Sequence, residues 1–195
     1  FISYLLITDK NYTLYIYREK ITPEVMVYLE ANQISVKPYL EVEQDLKRQA
    51  KRRLVISSSL NGQLKSAIKN PITLSPSPVS LMKCIKNETE QNGFRRAMER
   101  DGVAMVKFLK WLKPAVEAGG QTEMSIDKKL YEYRAEQAHF KGVSFDTIAG
   151  YGAHGAIVHY EATPETDVQL ESRGLLLLDS GAQYLDGTTD LTRTI

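Results

Sequence analysis

The sequence predicts a mixed fold with two domains, a small α/β unit followed by an α+β layer. In the N-terminal part, short runs of β-favouring residues alternate with helical patterns. In the C-terminal part, two long helical patterns come before several strand-like runs. Between the two parts, the stretch 71–86 contains three of the seven prolines, which favours an extended linker. We therefore predict domains at residues 1–82 and 83–195.

The N-terminal domain has local signals for each of its elements. Residues 1–8 and 12–17 are β-favouring runs on either side of three polar residues, which predicts a hairpin. Thr22 and Pro23 are typical of a helix cap and a first helical residue. Two further strands are predicted over 34–36 and 54–57, with a helix over about 40–51 between them.

The C-terminal domain begins with two predicted helices. Apolar residues at spacings of three, four or seven indicate one helix of about seven turns that faces a sheet. These residues are Phe94, Met98, Met105, Phe108, Leu112 and Val116. Thr122 is a plausible cap for the second helix, whose buried side is marked by Ile126, Leu130 and Tyr133. The strand-like runs that follow are 143–148, 156–159, 174–178 and 188–194.

Composition narrows the class of protein. The single cysteine, Cys84, excludes an internal disulfide and agrees with a reducing compartment, so we predict a cytoplasmic protein. No apolar run approaches the roughly 18 residues of a membrane span, and the start of the chain does not resemble a signal peptide. The net charge of +1 gives no reason to expect nucleic acid or an anionic membrane as a partner. The basic cluster at 47–53 follows acidic residues and is interpreted as a solvated helix face.

The segment 175–195 carries the clearest chemistry. Asp179 ends a run of four leucines, which is typical of a buried strand. Asp186-Gly187 predicts a hairpin turn, and the β-branched residues after it predict a returning strand. The hairpin should therefore bring Asp190 back toward Asp179.

Two carboxylates in one place form either a shared-proton pair or a divalent-metal site. An anionic side chain at the end of a buried strand is costly without a cation or hydrogen-bond donors, so we favour the metal site. Thr188, Thr189 and Thr192 either hold the aspartates by hydrogen bonds or are ordinary exposed strand threonines.

Three segments closely resemble the metal-dependent Xaa-Pro aminopeptidases (aminopeptidase P) of the pita-bread peptidase family. They are Gly-Ala-Ile-Val-His-Tyr at 155–160, Leu-Asp-Ser-Gly-Ala-Gln-Tyr at 178–184 and Asp-Gly-Thr-Thr-Asp-Leu-Thr-Arg-Thr at 186–194, in the family's order and spacing. The resemblance covers 85–195 well. The N-terminal part resembles, more loosely, the non-catalytic domain of creatinase-like and prolidase-like enzymes.

The resemblance implies the first repeat of a pita-bread catalytic domain after a creatinase/prolidase-type N-terminal domain. It implies that Asp179 and Asp190 are ligands of two divalent metal ions, the first on one ion and the second bridging both. A histidine and two glutamates would complete the site beyond Ile195. Carboxylate-rich ligation favours manganese, with zinc and cobalt as alternatives. We therefore expect this chain, as a fragment, to be inactive alone and to self-associate through an unpaired sheet edge.

The resemblance also implies hydrolysis of the bond between an N-terminal residue and a following proline. His159 would lie near the scissile carbonyl as a catalytic and substrate-binding residue, donating a hydrogen bond or shuttling a proton. His154, in a glycine-rich segment, either approaches the substrate or is a loop histidine in water. The implied partner is a peptide with proline at its second position, and the full-length protein is expected to be a homodimer. Two alternatives stay open: a prolidase- or creatinase-like hydrolase on the same fold, and a non-catalytic pita-bread module that binds peptides.

Overall fold

The computed structural model describes residues 2–69, 71–74 and 76–195. The described residues leave out Phe1, Asn70 and Ser75. Phe1 belongs to the predicted hairpin, Asn70 directly precedes the predicted linker and Ser75 lies within it. The chain divides into two compact units, 1–85 and 86–195. The domain boundary predicted from sequence lies three residues earlier than the boundary between these units.

The first unit begins with the predicted hairpin. Strand β1 (Tyr4–Ile7) pairs antiparallel with β2 (Tyr12–Ile16). Helix α1 (Pro23–Ala31) follows, and Thr22 caps it by accepting a hydrogen bond from the Val25 N–H at 3.3 Å. Strand β3 (Ile34–Pro38) then pairs parallel with β2, which gives the sheet order β1-β2-β3.

The rest of the first unit contains more regular structure than the sequence predicts. Its elements are α2 (Val42–Arg48), β4 (Leu54–Ser57), α3 (Gly62–Ser66), β5 (Pro71–Leu74) and α4 (Pro78–Cys84). The predicted extended linker over 71–86 is therefore wrong. Pro71 is tolerated as the first residue of β5, which pairs parallel with β4. Ser77 caps α4 and Pro78 opens it, so these residues start a helix instead of breaking one.

The second unit contains two long helices, α5 (Glu88–Glu117) and α6 (Glu123–Ala135). The predicted apolar stripe of α5 is correct in its C-terminal half, where Phe108 and Leu112 are buried. It is wrong in the N-terminal half, where Phe94 is 38% exposed and Met98 is 42% exposed. The buried positions there are held by small residues, including Gly93 and Ala97, because this part of α5 packs closely against a turn of the sheet.

The second unit contains six strands. They are β6 (Phe140–Val143), β7 (Ile148–Tyr151), β8 (Leu176–Ser180), β9 (Ala182–Tyr184), β10 (Gly187–Thr188) and β11 (Leu191–Thr194). They form two antiparallel sheets with orders β10-β9-β6 and β11-β8-β7. Consecutive strands join the two sheets at three places, β6 to β7, β8 to β9 and β10 to β11, and these pairs occupy matching positions in the two sheets. The two sheets therefore form one bent layer. Helices α5 and α6 share a core with this layer, centred on Phe108, Ile126, Leu130 and Leu178.

Three of the predicted strands need correction. The run 143–148 is mainly the link between β6 and β7, and 188–194 is interrupted at 189–190 because the chain crosses between the two sheets there. The run 156–159 is not a strand: a 3-10 helix covers Gly152–Ala156, and His159 has a left-handed backbone with φ of 55°. Within the described ranges, no helix combines the length and apolar character needed to cross a membrane.

Candidate metal centre

The hairpin that carries the two aspartates has its turn at Leu185 and Asp186, since Tyr184 pairs with Gly187. The turn predicted at Asp186-Gly187 is therefore wrong by one residue. Gly187 is instead a strand residue that lies against α5, where a Cβ atom would be 3.0 Å from the Ala97 Cβ. The glycine serves close packing between helix and strand at this position.

Asp179 lies in β8 on the face of the sheet away from the helices. Leu178 and its alternate neighbours in β8 are buried, and Leu178 belongs to the helix-packed core, whereas Asp179 is half-buried. Thr192 of β11 pairs directly with Asp179. The Thr192 hydroxyl donates a hydrogen bond to the Asp179 carboxylate at 2.8 Å, which fixes the side chain on that face.

Asp190 lies in the link between β10 and β11, two residues before Thr192, and is exposed. Leu191 packs against the helical core, so alternation places its neighbours Asp190 and Thr192 on the opposite face. The pairing of Leu191 with Ser180 makes Asp190 a diagonal neighbour of Asp179, and such neighbours are about 7–8 Å apart between Cα atoms. The strand register therefore places the two carboxylates on one face of the layer.

The three candidate threonines have different partners. Thr192 contacts Asp179, as described above. Thr188 donates to the Gln183 side chain at 2.7 Å, and the buried Thr189 hydroxyl accepts from the Ala182 N–H at 2.9 Å. Of the three, only Thr192 holds a carboxylate, and Thr189 instead ties together the strands at the crossing.

His159 and His154 lie in the segment after β7, and their roles in catalysis and substrate binding stay predictions. His159 is exposed and makes no hydrogen bond or ion pair with Asp179 or Asp190, all three being within the described chain. His154 is not simply a histidine in water. Its side chain is 24% exposed, its Nδ1 lies 2.9 Å from Glu123 Oε1, and its ring stacks on Tyr160 at 4.5 Å.

Sequence reasoning missed two fully buried carboxylates of the second unit. Glu123 is fully buried at the first position of α6, directly after its cap, where it looks like an ordinary acidic residue of a first helical turn. Asp101 is fully buried inside α5 and accepts hydrogen bonds from Arg134 at 2.8 and 3.0 Å. Burial, together with the Asp101 charge and hydrogen bond, raises the pKa of Tyr184. No periodicity in the sequence marks these residues, because their partners are far away along the chain.

The donor chemistry fits hard divalent ions, but the ligand set is incomplete. Asp179 and Asp190 offer carboxylate oxygens, and Thr192 orients the first of them as an outer hydrogen-bond partner does at metal sites. The part of the chain that the structure describes contains no group of three or more His, Cys, Asp or Glu side chains arranged to hold a metal. A two-metal centre therefore needs more ligands than these residues supply.

Family comparisons agree with this arrangement. A model of metallopeptidase family M24 matches residues 92–195, and a model of the creatinase/prolidase N-terminal domain matches residues 1–90. The chain belongs to metallopeptidase family M24. The predicted family is confirmed, and so is the predicted fold class of a creatinase/prolidase-type N-terminal domain followed by part of a pita-bread domain.

Curated relatives match this M24 chain along its whole length. The probable Xaa-Pro aminopeptidase P of Podospora anserina is 37% identical over 210 residues, which cover 100% of the chain and 31% of that protein. The probable Xaa-Pro aminopeptidase P of Arthroderma gypseum is 36% identical over 209 residues, covering 100% of the chain and 33% of the relative. The chain thus spans about a third of the length of these relatives.

Solved structures show the same fold. The X-prolyl aminopeptidase of Caenorhabditis elegans, described as a cytosolic enzyme with a di-nuclear active site, superposes with a TM-score of 0.90 at 30% identity. The match covers 99% of this M24 chain and 33% of that structure. The Xaa-Pro dipeptidase of Bacillus anthracis gives a TM-score of 0.78 at 22% identity, covering 100% of the chain and 54% of the other, and supports the fold alone.

Proposed function

We propose that this chain is part of a metallo-aminopeptidase that hydrolyses the bond between an N-terminal residue and a following proline. The observation that carries the proposal is the strand register that puts Asp179 and Asp190 on one open face of an M24 domain. The names of the relatives, Xaa-Pro aminopeptidase P and X-prolyl aminopeptidase, support the substrate class.

Asp179 and Asp190 are the two residues of this chain that would hold metal ions. A bound pair of divalent ions would lower the pKa of a coordinated water and polarise the substrate carbonyl. The di-nuclear active site of the C. elegans enzyme supports two ions. Manganese is favoured because both ligands are hard carboxylate oxygens, with zinc and cobalt as alternatives. Thr192 keeps Asp179 in one rotamer by its 2.8 Å hydrogen bond, which preorganises the site.

The two histidines would act on the peptide. His159, exposed after the 3-10 helix, would donate a hydrogen bond at the scissile carbonyl or move a proton there. His154 would contact the substrate with its second ring nitrogen, since its Nδ1 is occupied by Glu123. The peptide carries proline at its second position. We expect a cytoplasmic homodimer without nucleic-acid or membrane partners when the protein has the length of its relatives.

Two other functions are compatible with the fold. A prolidase- or creatinase-like hydrolase would use the same two aspartates on another substrate. A non-catalytic pita-bread module that binds peptides would have no need of them, so their presence on a shared face favours an enzyme. Turnover of a tripeptide Xaa-Pro-Yaa, a dipeptide Xaa-Pro and creatine by the longer protein separates these three functions.

The decisive experiment uses Asp190→Ala in a protein that carries this chain and has the length of its relatives. We expect loss of turnover of Xaa-Pro-Yaa and of most manganese uptake, while Glu161→Ala, an exposed acid outside the aspartate pair, keeps both. Wild-type turnover by Asp190→Ala refutes the proposal. The 195-residue chain alone should bind manganese weakly and hydrolyse nothing, which isothermal titration and the same assay check.

A further inference from the structure

Glu123 is a fully buried carboxylate that the proposed reaction does not use. It is the first residue of α6, but it does not cap its own helix. The cap is formed by Thr122 and Ser125, whose side chains bond each other's backbone N–H groups at 3.2 and 2.8 Å. The Glu123 side chain points instead toward the segment 151–160, which carries both histidines.

Three donors from that segment converge on the Glu123 carboxylate. The Tyr151 N–H donates to Oε1 at 2.7 Å, and the Tyr160 hydroxyl donates to Oε2 at 2.8 Å. His154 Nδ1 lies 2.9 Å from Oε1 and 3.1 Å from Oε2. The rings of His154 and Tyr160 also stack, with 4.5 Å between their centroids. One carboxylate therefore ties the beginning, the middle and the end of the segment to the start of α6.

His159 directly precedes the last of these anchors and has an unusual backbone. Its φ of 55° is in the left-handed region, which strains a residue with a β-carbon and persists only where the surroundings enforce it. His159 itself is exposed, whereas Tyr160 is 6% exposed. Burial raises the pKa of Tyr160, as does its bond to Glu123, so the phenol stays a donor. The Thr166 contacts to the same hydroxyl are longer, at 3.4 Å.

We propose that Glu123, acting through the Tyr160 hydroxyl, is a positioning residue that holds His159 in its left-handed conformation and thereby aims the imidazole at the substrate. This inference rests on the proposed function only for what His159 does with the substrate. The anchor itself is a property of the chain as it stands. His154 makes a second set of contacts that holds the same segment, since it contacts both the Glu123 carboxylate and the Tyr160 ring.

The first test is Tyr160→Phe in the 195-residue chain, which removes one hydroxyl and keeps the ring stack on His154. The matched control is Tyr151→Phe, since the Tyr151 hydroxyl donates to the Arg173 carbonyl, away from Glu123, while its N–H still reaches the carboxylate. Nuclear magnetic resonance reads the three-bond N–H to Hα coupling of residue 159 and the His159 ring shifts. We expect both to change in Tyr160→Phe and not in the control. An unchanged His159 in a folded Tyr160→Phe chain overturns the proposal.

A second variant covers the case in which Tyr160→Phe does not fold. Glu123→Gln keeps the size of the side chain but has one acceptor oxygen for three donors, so it should loosen His159 less than Glu123→Ala does. The ranking wild type, Gln, Ala in the residue-159 coupling is the expected result. Equal couplings in all three chains contradict the role of Glu123.

The third readout is kinetic and uses a protein with the length of the relatives. With an Xaa-Pro-Yaa tripeptide, Tyr160→Phe should lower kcat about 10-fold with little change in KM, because displaced catalytic groups cost roughly 10- to 100-fold in rate. A changed coupling at residue 159 with unchanged kcat overturns the link to the substrate. Should Asp190→Ala stay active, the proposed function fails, and the resonance measurement still decides whether Glu123 holds His159.

Discussion

Thr192 and Asp179 face each other across β11 and β8, and the Thr192 hydroxyl donates to the Asp179 carboxylate at 2.8 Å. The strand that supplies this hydroxyl begins immediately after Asp190, the second candidate ligand. Strand β11 therefore begins directly after Asp190 and also orients Asp179 through Thr192. A small shift of β11 relative to β8 would disturb both candidate ligands together.

Thr192→Val should weaken metal binding without changing the ligands. The substitution keeps the β-branched shape and removes the hydroxyl that fixes Asp179, and the loss of such outer partners lowers metal affinity about 10- to 100-fold. Thr194→Val is the control, because Thr194 lies on the same strand opposite Leu177. Isothermal titration of manganese into the protein with the length of its relatives measures the effect. Equal affinities of the two variants would show that the Thr192 bond is irrelevant to the site.

The sequence predicts the elements whose signals are local. The hairpin of β1 and β2, the Thr22 cap and the Thr122 cap each depend on a few neighbouring residues, and all three are confirmed. The buried strand β8 is also found close to the run of four leucines that predicts it. The return of the chain that brings Asp190 to the face of Asp179 is predictable because a turn signal lies between two strand-like runs.

Features that depend on distant partners could not be read from the sequence. The exposure of Phe94 and Met98 follows from the close approach of α5 to the Asp186 turn, which is distant in sequence. The burial of Glu123 could not be predicted, because an acidic residue directly after a helix cap is equally expected on the surface. The β-branched neighbours of His159 predict a strand, whereas the chain turns there, with the Tyr160 N–H donating to the Ile157 carbonyl and the Tyr160 hydroxyl donating to Glu123.

Gly93→Ala tests the close packing of α5 against the hairpin turn. A Cβ at Gly93 would lie 2.1 Å from the Asp186 carbonyl oxygen, so helix and turn must separate, and overpacking of this kind costs about 1–3 kcal/mol. Gly102→Ala in the same helix meets no atom within 4 Å and should stabilise by about 0.5–1 kcal/mol through helix propensity. Urea denaturation of the chain measures both. A stabilising Gly93→Ala would contradict the contact.

Arg134→Met tests the buried ion pair between α5 and α6. The side chains of Arg134 and Asp101 are 1% and 0% exposed, and removing one partner leaves an uncompensated buried charge that costs about 3–5 kcal/mol. Arg173→Met is the control, because its pair with Glu171 is 84% and 57% exposed and should change the free energy of unfolding by at most about 0.5 kcal/mol. Similar unfolding midpoints in urea for the two variants would mean that the buried pair contributes nothing.

Asp127→Asn tests a pH dependence in α6. Burial raises the pKa of Asp127 above the ordinary value of 3.8, while a hydrogen bond from Thr147 and the nearby Arg134 charge oppose the shift. A carboxyl whose pKa is raised by folding binds more protons in the folded state, so its contribution to stability falls as pH rises from the unfolded to the folded pKa. The uncharged amide that the substitution introduces does not titrate and escapes this loss.

The variant should therefore unfold at a higher temperature than the wild type at neutral pH, and the difference should vanish as pH falls toward 3.8, the ordinary pKa of the group. Thermal unfolding followed by circular dichroism from acid to neutral pH measures the difference. Glu171→Gln, at an exposed surface pair, should show no such trend. An Asp127→Asn chain that is less stable than wild type at neutral pH, or a gain that is largest in acid, would show that the ionised carboxylate stabilises this helix.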